Sequence, residues 1–250
     1  MPFPRELASP PCLSVGFEFS KDLSSKYKKP LVPVCHQVAH LEIAKLLSKA
    51  SDPIFLYVSG GNTQIVSYNS GRYRVFGETQ DIGIGNALDK FARQTGLEFP
   101  GGPQIERLAL KGKYTELPYV VKGMDLSFSG ILTAALNKYK KRERLEDLCF
   151  SLQETLFAML AEVTERALAH TGKKEAVLTG GVAANKRLCE MLEIMCHERD
   201  ADFFACPLQY AGDNGVMIAW NGLQVYKSGK IPSPEINPHL RTDDVEVSWI

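Results

Sequence analysis

Residues 56–66, LYVSGGNTQIV, place an apolar run on each side of Ser59-Gly60-Gly61-Asn62. Each run has the composition of a β-strand, and the paired glycines between them are typical of a tight turn. In a hairpin we expect Gly-Gly or Gly-Asn to supply the positive φ angles of that turn. The alternative is a loop whose backbone N–H groups approach an anionic ligand, because glycine puts no Cβ in the way.

The chain around this stretch changes from helical to strand periodicity. The runs IFLYVSGG, NTQIVSYN and RYRVFGET predict a three-stranded antiparallel meander. Before the meander, we expect a helix over 15–27, a short strand over 30–34 and a helix that begins at His36 and stops before Asp52-Pro53. After it, the pattern predicts a helix over 84–96 and a turn followed by a helix in PGGPQIERLALKGK.

The second half of the chain reads as alternating strands and helices. LEDLCFSLQETLFAMLAEVTERALAH is a long helical signal with one core face. EAVLTGG, a helix from Ala183, the strand DFFACP and a helix from Asn214 to Lys227 then alternate as in a parallel sheet. A meander followed by βα units predicts a mixed α/β fold.

Thr179-Gly180-Gly181-Val182 repeats the chemistry of the opening turn. Each of the two loops ends an apolar strand with a hydroxyl residue and two glycines. One such loop alone is most often a plain turn. Two of them at the ends of neighbouring strands predict a common ligand cleft, because ligands of α/β sheets bind at strand ends.

Composition limits the class of protein. The 250 residues are 44% hydrophobic, and 29 basic residues balance 29 acidic ones, so no global field attracts nucleic acid. The six cysteines contain no CxxC pair, which argues against a disulfide framework and a cysteine zinc site. The absence of a bilayer-length apolar run and of a signal-like N-terminus favours a reducing, cytoplasmic location.

His36 and His40 stand four residues apart in CHQVAHLE, which places both rings on one helix face where they can share a metal ion. Two ordinary histidines are an equally good interpretation of this spacing alone. The zincin pattern HExxH has its general base where this chain has Gln37, so a metalloprotease is disfavoured. Asp213, before a predicted helix, is by itself best read as an N-cap, and Asp89 and Glu106 as solvated charges.

Several segments, in their order along the chain, resemble the universal family that makes N6-threonylcarbamoyladenosine in tRNA, formerly called O-sialoglycoprotein endopeptidase. They are HQVAH, LYVSGGNTQIV, FGETQDIGIGNALDKFAR, PGGPQIERLA, KGMDLSFSGI, SLQETLFAMLAEVTERA, LTGGVAANKRL and GDNGVMIAW. The ending RTDDVEVSWI and the stretch ELPYVVKGMDLSFSGI are similar to the archaeal and eukaryotic cytosolic branch. The resemblance covers residues 12–250.

The resemblance implies the two-lobed fold of actin, sugar kinases and heat-shock ATPases (ASKHA), with ribonuclease H-like mixed sheets. It predicts a remnant of the first lobe over 1–52, the second lobe with a helical insertion over 53–228, and a segment over 229–250 that packs back on the first lobe. Relatives begin with a strand and a phosphate hairpin that have no counterpart before Cys12. The first lobe is therefore expected to be incomplete.

The resemblance also implies the site. One divalent metal ion, zinc or iron by ligand type and manganese at lower affinity, is expected on His36, His40, Tyr57 and Asp213. The predicted adenylate-binding residues are Tyr57, Val58, Ser59, Gly60, Gly61, Asn62, Asp89, Gly102, Glu106, Gly180, Gly181 and Asn185. No protein nucleophile or general base is assigned.

The implied reaction moves a threonylcarbamoyl group from threonylcarbamoyl-AMP to N6 of the adenosine that follows the anticodon, in tRNAs reading codons that begin with A. The implied partners are tRNA and the small atypical kinase, dimerising subunit and regulatory subunit of a KEOPS-type complex. A shortened, non-catalytic paralogue that binds the adenylate or a partner is the alternative, and a metalloprotease is the third hypothesis.

Overall fold

The computed structural model describes residues 2–4 and 10–250. Its strands are β1 (Pro2–Pro4), β2 (Val32–Val34), β3 (Ile54–Val58), β4 (Thr63–Asn69), β5 (Arg72–Glu78), β6 (Val121–Lys122), β7 (Asp125–Leu126), β8 (Glu175–Thr179) and β9 (Asp202–Ala205). Its helices are α1 (Pro10–Tyr27), α2 (His36–Ser48), α3 (Ile84–Gln94), α4 (Gly101–Ala109), α5 (Ser129–Lys140), α6 (Leu145–Thr171), α7 (Lys186–Glu198), α8 (Leu208–Ala211) and α9 (Gly215–Ser228).

The main sheet has five strands in the order β5-β4-β3-β8-β9. Strands β3, β4 and β5 pair antiparallel, and β8 joins β3 in parallel and pairs in parallel with β9. The predicted meander and the predicted parallel βα half are therefore confirmed. Every residue of β3 is buried, as expected for the central strand of a sheet covered on both faces.

Helix α6 is the most extensively buried helix beside the main sheet. Fourteen of its residues are buried, and it packs against α4, α5 and α7. Leu152, Leu156, Leu160 and Val163 recur at helical spacing and lie in the largest apolar core. The scaffold role predicted for this helix is confirmed.

A second, small sheet pairs β1 in parallel with β2. Helix α9 contacts both of these strands and also α2, so it bridges the small sheet and the helix that begins at His36. Residues 240–250 lie against the edge of β5, where the Val247 N–H donates to Gly71 O at 2.8 Å. None of the described helices combines the length and apolarity that a membrane span needs.

Several expectations about the elements need correction. The first helix begins at Pro10 and not at residue 15, because proline fits the first turn of a helix. The helix predicted from Ala183 begins at Lys186, after a 3-10 turn over Gly181–Ala184. Hairpin β6–β7 and helix α5 lie in 113–144, to which the sequence patterns assigned no element.

Candidate functional site

The two glycine loops lie side by side. Parallel pairing of β3 with β8 aligns Tyr57 with Thr179, so the two loops leave the sheet at the same edge. Gly180 has φ 100°, and a Cβ there would lie 2.2 Å from Val58 O. Only glycine allows this approach. The prediction that the loops share one edge of the sheet is confirmed.

The first loop is closed by its own polar groups. Ser59 N donates to Asn62 O at 2.8 Å, and Asn62 N donates to Ser59 Oγ at 3.0 Å. The expected positive φ angles are wrong: Gly60, Gly61 and Asn62 all have negative or extended φ. The left-handed turn of the meander lies instead at Ser70-Gly71, between β4 and β5. The tight feature of this loop is the close approach of its backbone to a neighbouring helix, whereas a Cβ at Gly61 would meet no heavy atom within 4 Å.

Helix α3 supplies that close approach. Gly85 N donates to Ser59 O at 3.1 Å, and Asn86 N donates to Gly60 O at 3.0 Å. A Cβ on Gly83 would lie 2.4 Å from Gly60 O, and one on Gly85 would lie 2.8 Å from Ser59 O. The sequence reasoning missed these two glycines, although their alternation before a helix in DIGIGNALDK was the available signal.

His36, His40 and Asp213 converge on one point. The distances are 3.1 Å between the two Nε2 atoms, 3.1 Å from His36 Nε2 to Asp213 Oδ1 and 3.0 Å from His40 Nε2 to Asp213 Oδ1. The histidines are 3% and 1% exposed, whereas the Asp213 side chain is 68% exposed. The cluster is thus anchored in the core and open to solvent on one side.

Local structure explains the placement. Helix α2 begins at His36, so the second ring follows one turn later on the same face. The N-cap reading of Asp213 is wrong, because Asn214 occupies that position and its Oδ1 accepts a bond from Met217 N at 3.0 Å. Asp213 is therefore free to turn towards the histidines.

Electrostatics fit a cation site. Hydrogen bonds from His36 and His40 hold the pKa of Asp213 well below its usual range. Burial lowers the pKa of His40, which favours the neutral imidazole that binds metal ions. The carboxylate therefore stays ionised, and His40 offers a lone pair at neutral pH.

Tyr57 lies beside this cluster at the end of β3. It is 1% exposed, and its ring centroid is 5.1 Å from that of His40. Burial raises the pKa of Tyr57 to about 12, while polar contacts with Ser59 and Asn62 act in the opposite direction. The residue links the histidine cluster to the first glycine loop.

A cavity of about 320 Å³ is lined in part by Gly60 of that loop. It is large enough for a small-molecule ligand. Six of the predicted adenylate residues line it, namely Gly60, Asp89, Gly102, Glu106, Gly181 and Asn185. Gly85, Leu88, Pro100, Pro103, Val182 and Ala184 complete its wall and were not predicted. The other predicted adenylate residues lie outside this lining: Tyr57 and Val58 end β3, and Ser59, Gly61, Asn62 and Gly180 belong to the two loops.

The polar side chains of the cavity also hold its walls. Asp89 Oδ1 accepts the Gly101 N–H at the start of α4 at 2.8 Å, and Glu106 Oε1 accepts the Lys186 N–H at the start of α7 at 2.8 Å. Asn185 Oδ1 caps α7, and its Nδ2 donates to Gln153 Oε1 at 3.1 Å. Neither Asp89 nor Glu106 is a purely solvated charge.

The donor set of the cluster fits a metal ion. Each Nε2 atom carries at most one proton, and the two Nε2 atoms and Asp213 Oδ1 make three mutual contacts. At most two of these three contacts can therefore be hydrogen bonds. The three donor atoms lie 3.0–3.1 Å from one another, close enough to bind one ion together. Two imidazoles and a carboxylate suit zinc or iron. Among the described residues, these three form the one group of His, Cys, Asp and Glu able to hold an ion.

Comparison with known proteins gives the family. The profile of the TsaD family, described as tRNA N6-adenosine threonylcarbamoyltransferase, matches residues 9–220. A tRNA N6-adenosine threonylcarbamoyltransferase of Thermococcus kodakarensis is 58% identical over 244 residues, which are 96% of this chain and 75% of that protein. A probable bifunctional tRNA threonylcarbamoyladenosine biosynthesis protein of Methanocaldococcus jannaschii is 56% identical, but the chain spans 46% of its length.

Among solved structures, HypF of T. kodakarensis has a TM-score of 0.71 at 15% identity, over 86% of this chain and 39% of that one. At that identity the likeness shows the fold alone, and the fold is of the ASKHA type. The profile, the archaeal relatives and the order of the motifs agree with the sequence resemblance. The chain therefore belongs to the tRNA N6-adenosine threonylcarbamoyltransferase family.

Proposed function

We propose that this chain transfers the threonylcarbamoyl group of threonylcarbamoyl-AMP to N6 of the adenosine that follows the anticodon, in tRNAs reading codons that begin with A. The exocyclic amine forms a bond to the carbonyl carbon of the mixed anhydride, and AMP leaves with the electrons of the broken C–O bond. The amine proton is lost to solvent, because no side chain is assigned as its acceptor.

One observation carries this proposal. The histidine cluster and the cavity adjoin consecutive parts of one segment: Tyr57 at the end of β3 lies beside His40, and Gly60 of the following loop lines the cavity. An adenylate whose base and ribose fill the cavity would therefore direct its phosphate towards the cluster. This arrangement suits a reaction at the phosphate end of a nucleotide.

The residues then have separate tasks. Asp89 and Glu106 each use one carboxylate oxygen to hold a helix start, and the second oxygen of each is assigned to the ribose hydroxyls. The backbone N–H groups of the glycine loops are assigned to the phosphate. His36, His40 and Asp213 would hold one divalent ion, with Tyr57 beside them. Such an ion neutralises phosphate charge and orients the reacting groups.

The partners proposed from the resemblance are tRNA and the subunits of a KEOPS-type complex: an atypical kinase, a dimerising subunit and a regulatory subunit. The near-neutral net charge agrees with tRNA being held partly by basic surfaces of other subunits. Metal analysis of freshly purified protein decides between zinc, iron and manganese.

The test is incorporation of labelled threonine into tRNA. The purified chain, combined with the partner subunits, is given threonylcarbamoyl-AMP and a tRNA with adenosine after the anticodon. We expect label in this tRNA and none in a matched tRNA with guanosine at that position. No label under conditions in which a full-length relative is active would refute the proposal, whereas adenylate binding without transfer would support the non-catalytic alternative.

A further inference from the structure

Glu42 is a buried acid that the proposed reaction does not use. It is 3% exposed and accepts three hydrogen bonds, from Tyr73 Oη and Trp249 Nε1 on its Oε1 and from Gln224 Nε2 on its Oε2, each at 2.8 Å. A buried carboxylate is costly unless its lone pairs are satisfied, and bonds to an ionised acceptor are stronger than neutral ones. This set of donors is therefore a strong local constraint.

The three donors come from three different parts of the fold. Tyr73 belongs to β5, Gln224 to α9 and Trp249 to the C-terminal segment. Glu42 itself lies on α2, two residues after His40, and Asp213 lies just before α9. The carboxylate thus ties the helix that carries both histidines to the helix that follows the third member of the cluster.

The C-terminal segment touches α2 at a second point. Thr242 Oγ1 donates to Gln37 Oε1 at 2.5 Å and lies 3.1 Å from Gln64 Oε1. Thr242 is 1% exposed, so this contact is also buried. Gln37 lies within the turn between His36 and His40, and Glu42 lies two residues after it, so the turn that carries both histidines is held at two points from the same segment.

We propose that the C-terminal segment, acting through Trp249 on Glu42 and through Thr242 on Gln37, positions α2 so that its histidines meet Asp213. Trp249 and Glu42 are positioning residues, since neither reaches the cluster itself. The part of this inference that concerns metal affinity rests on the proposed metal centre. The part that concerns the position and stability of α2 does not need a metal. Partners that orient metal ligands are worth about 10- to 100-fold in metal affinity.

The chain offers a matched control. Its other tryptophan, Trp220, is partly buried on α9, and its Nε1 has no hydrogen-bond partner in the described part of the chain. Phenylalanine at either position keeps an aromatic ring and removes the indole N–H. Only at Trp249 does that removal cost a bond to Glu42.

The experiment compares Trp249→Phe and Trp220→Phe in the full chain by amide hydrogen exchange without metal and by titration with Zn²⁺. For Trp249→Phe we expect about tenfold faster exchange over residues 36–48 and about tenfold weaker Zn²⁺ binding. Trp220 packs on the cluster of Ala39, Ile43 and Met217, so Trp220→Phe alters packing but removes no hydrogen bond, and both readouts should change by less than about threefold. Tyr73→Phe, which removes another donor to Glu42, is the second variant and should shift both readouts in the same direction.

Unchanged exchange in α2 for Trp249→Phe and Tyr73→Phe would overturn the inference, whatever the metal result. If the wild-type chain takes up no Zn²⁺, the metal centre of the proposed function is wrong, while exchange in α2 still decides this inference. Exchange in α2 that is as fast for Trp220→Phe as for Trp249→Phe would also overturn it, because lost packing and not the bond to Glu42 would then be the cause.

Discussion

At the scale of single residues, Gly180 combines a left-handed backbone conformation with a close approach to β3, so only glycine fits there. Its φ of 100° is in the left-handed half of backbone space, and a Cβ would lie 2.2 Å from Val58 O. For Gly180→Ala we expect a loss of about 2–4 kcal/mol in the free energy of unfolding, from backbone strain and the clash together. Urea unfolding of the ligand-free chain measures it.

Gly181→Ala is the control for that prediction. No heavy atom lies within 4 Å of a Cβ at Gly181, and its φ is not in the left-handed region. We expect its unfolding free energy within about 1 kcal/mol of wild type. If both alanine variants lose the same amount of unfolding free energy, the close approach of Gly180 to β3 does not cause the loss.

Residue types were easier to predict from the sequence than residue conformations. The spacing of His36 and His40 was enough to place both rings on one face. The sequence could not show that Asn214 and not Asp213 caps α9, because both residue types are good caps and the choice depends on where the histidines lie. Nor could it show that Gly83 and Gly85 let α3 approach the backbone of the 59–62 loop.

At the scale of elements, the wall of the cavity depends on how α7 begins. Arg187, the second residue of α7, pairs with Glu154 of α6 through two bonds of 2.8 Å, next to the bond of Asn185 with Gln153. A bidentate arginine–carboxylate pair fixes geometry as well as adding energy. The pair therefore holds residues 181–186 against the cavity.

Glu154→Ala should weaken AMP binding about three- to tenfold, because it loosens the start of α7 without touching the ligand, and calorimetric titration measures this. The control is Glu165→Ala, which breaks the Arg199–Glu165 pair at the other end of the same two helices. That variant should bind AMP like wild type. Similar weakening in both variants would contradict a local effect.

A second element-scale contact involves Asp81, which joins two loops. Burial alone would raise its pKa, but hydrogen bonds from Phe128 N, Ser127 Oγ, Ser129 N and Ile82 N outweigh burial and hold the pKa well below its usual range. Asp81 thereby holds the LSFSG motif, at the start of α5, against the loop that precedes α3. Because the pKa of Asp81 is lower in the folded chain than in the unfolded chain, the ionised carboxylate stabilises the fold at pH values above its unfolded pKa of about 3.9. This stabilisation is lost as the pH falls through the folded-state pKa.

Asp81→Asn should therefore destabilise the chain by about 1 kcal/mol at pH 7, allowing for solvent screening of this exposed group. The gap to wild type should narrow as the pH falls below about 4. Urea midpoints at pH 7 and pH 3 test this, with the exposed Glu98→Gln as control. If the urea midpoints of wild type and Asp81→Asn differ by the same amount at both pH values, the charge of Asp81 does not cause the loss of stability.

Helices and strands were predicted correctly where apolar residues recur along a segment with one helical or strand period. The meander, the parallel βα half and α6 all have such a period. Hairpin β6–β7 and α5 were not predicted, because the two-residue strands are too short to show alternation and Asp81 organises α5 from 47 residues away. Contacts of that range are invisible to local patterns.

At the scale of the whole molecule, the site is assembled from distant parts of the chain. The histidines come from α2, the carboxylate from the loop before α9, and the cavity from the loop after β3, from α3 and α4, and from the segment between β8 and α7. The C-terminal segment adds the contacts that hold α2. The resemblance could name these residues, but their distances and the role of residues 240–250 required the structure.

The most direct test of the account is the rate of threonylcarbamoyl transfer to tRNA as metal is returned to the chelator-treated chain with its partner subunits. We expect the rate to rise until one equivalent of metal per chain is bound and then to stay constant. His40→Ala, assembled with the same partners, should show no rise. Full transfer by the chelator-treated chain, or a normal titration of the His40→Ala variant, would contradict a metal centre at His36, His40 and Asp213.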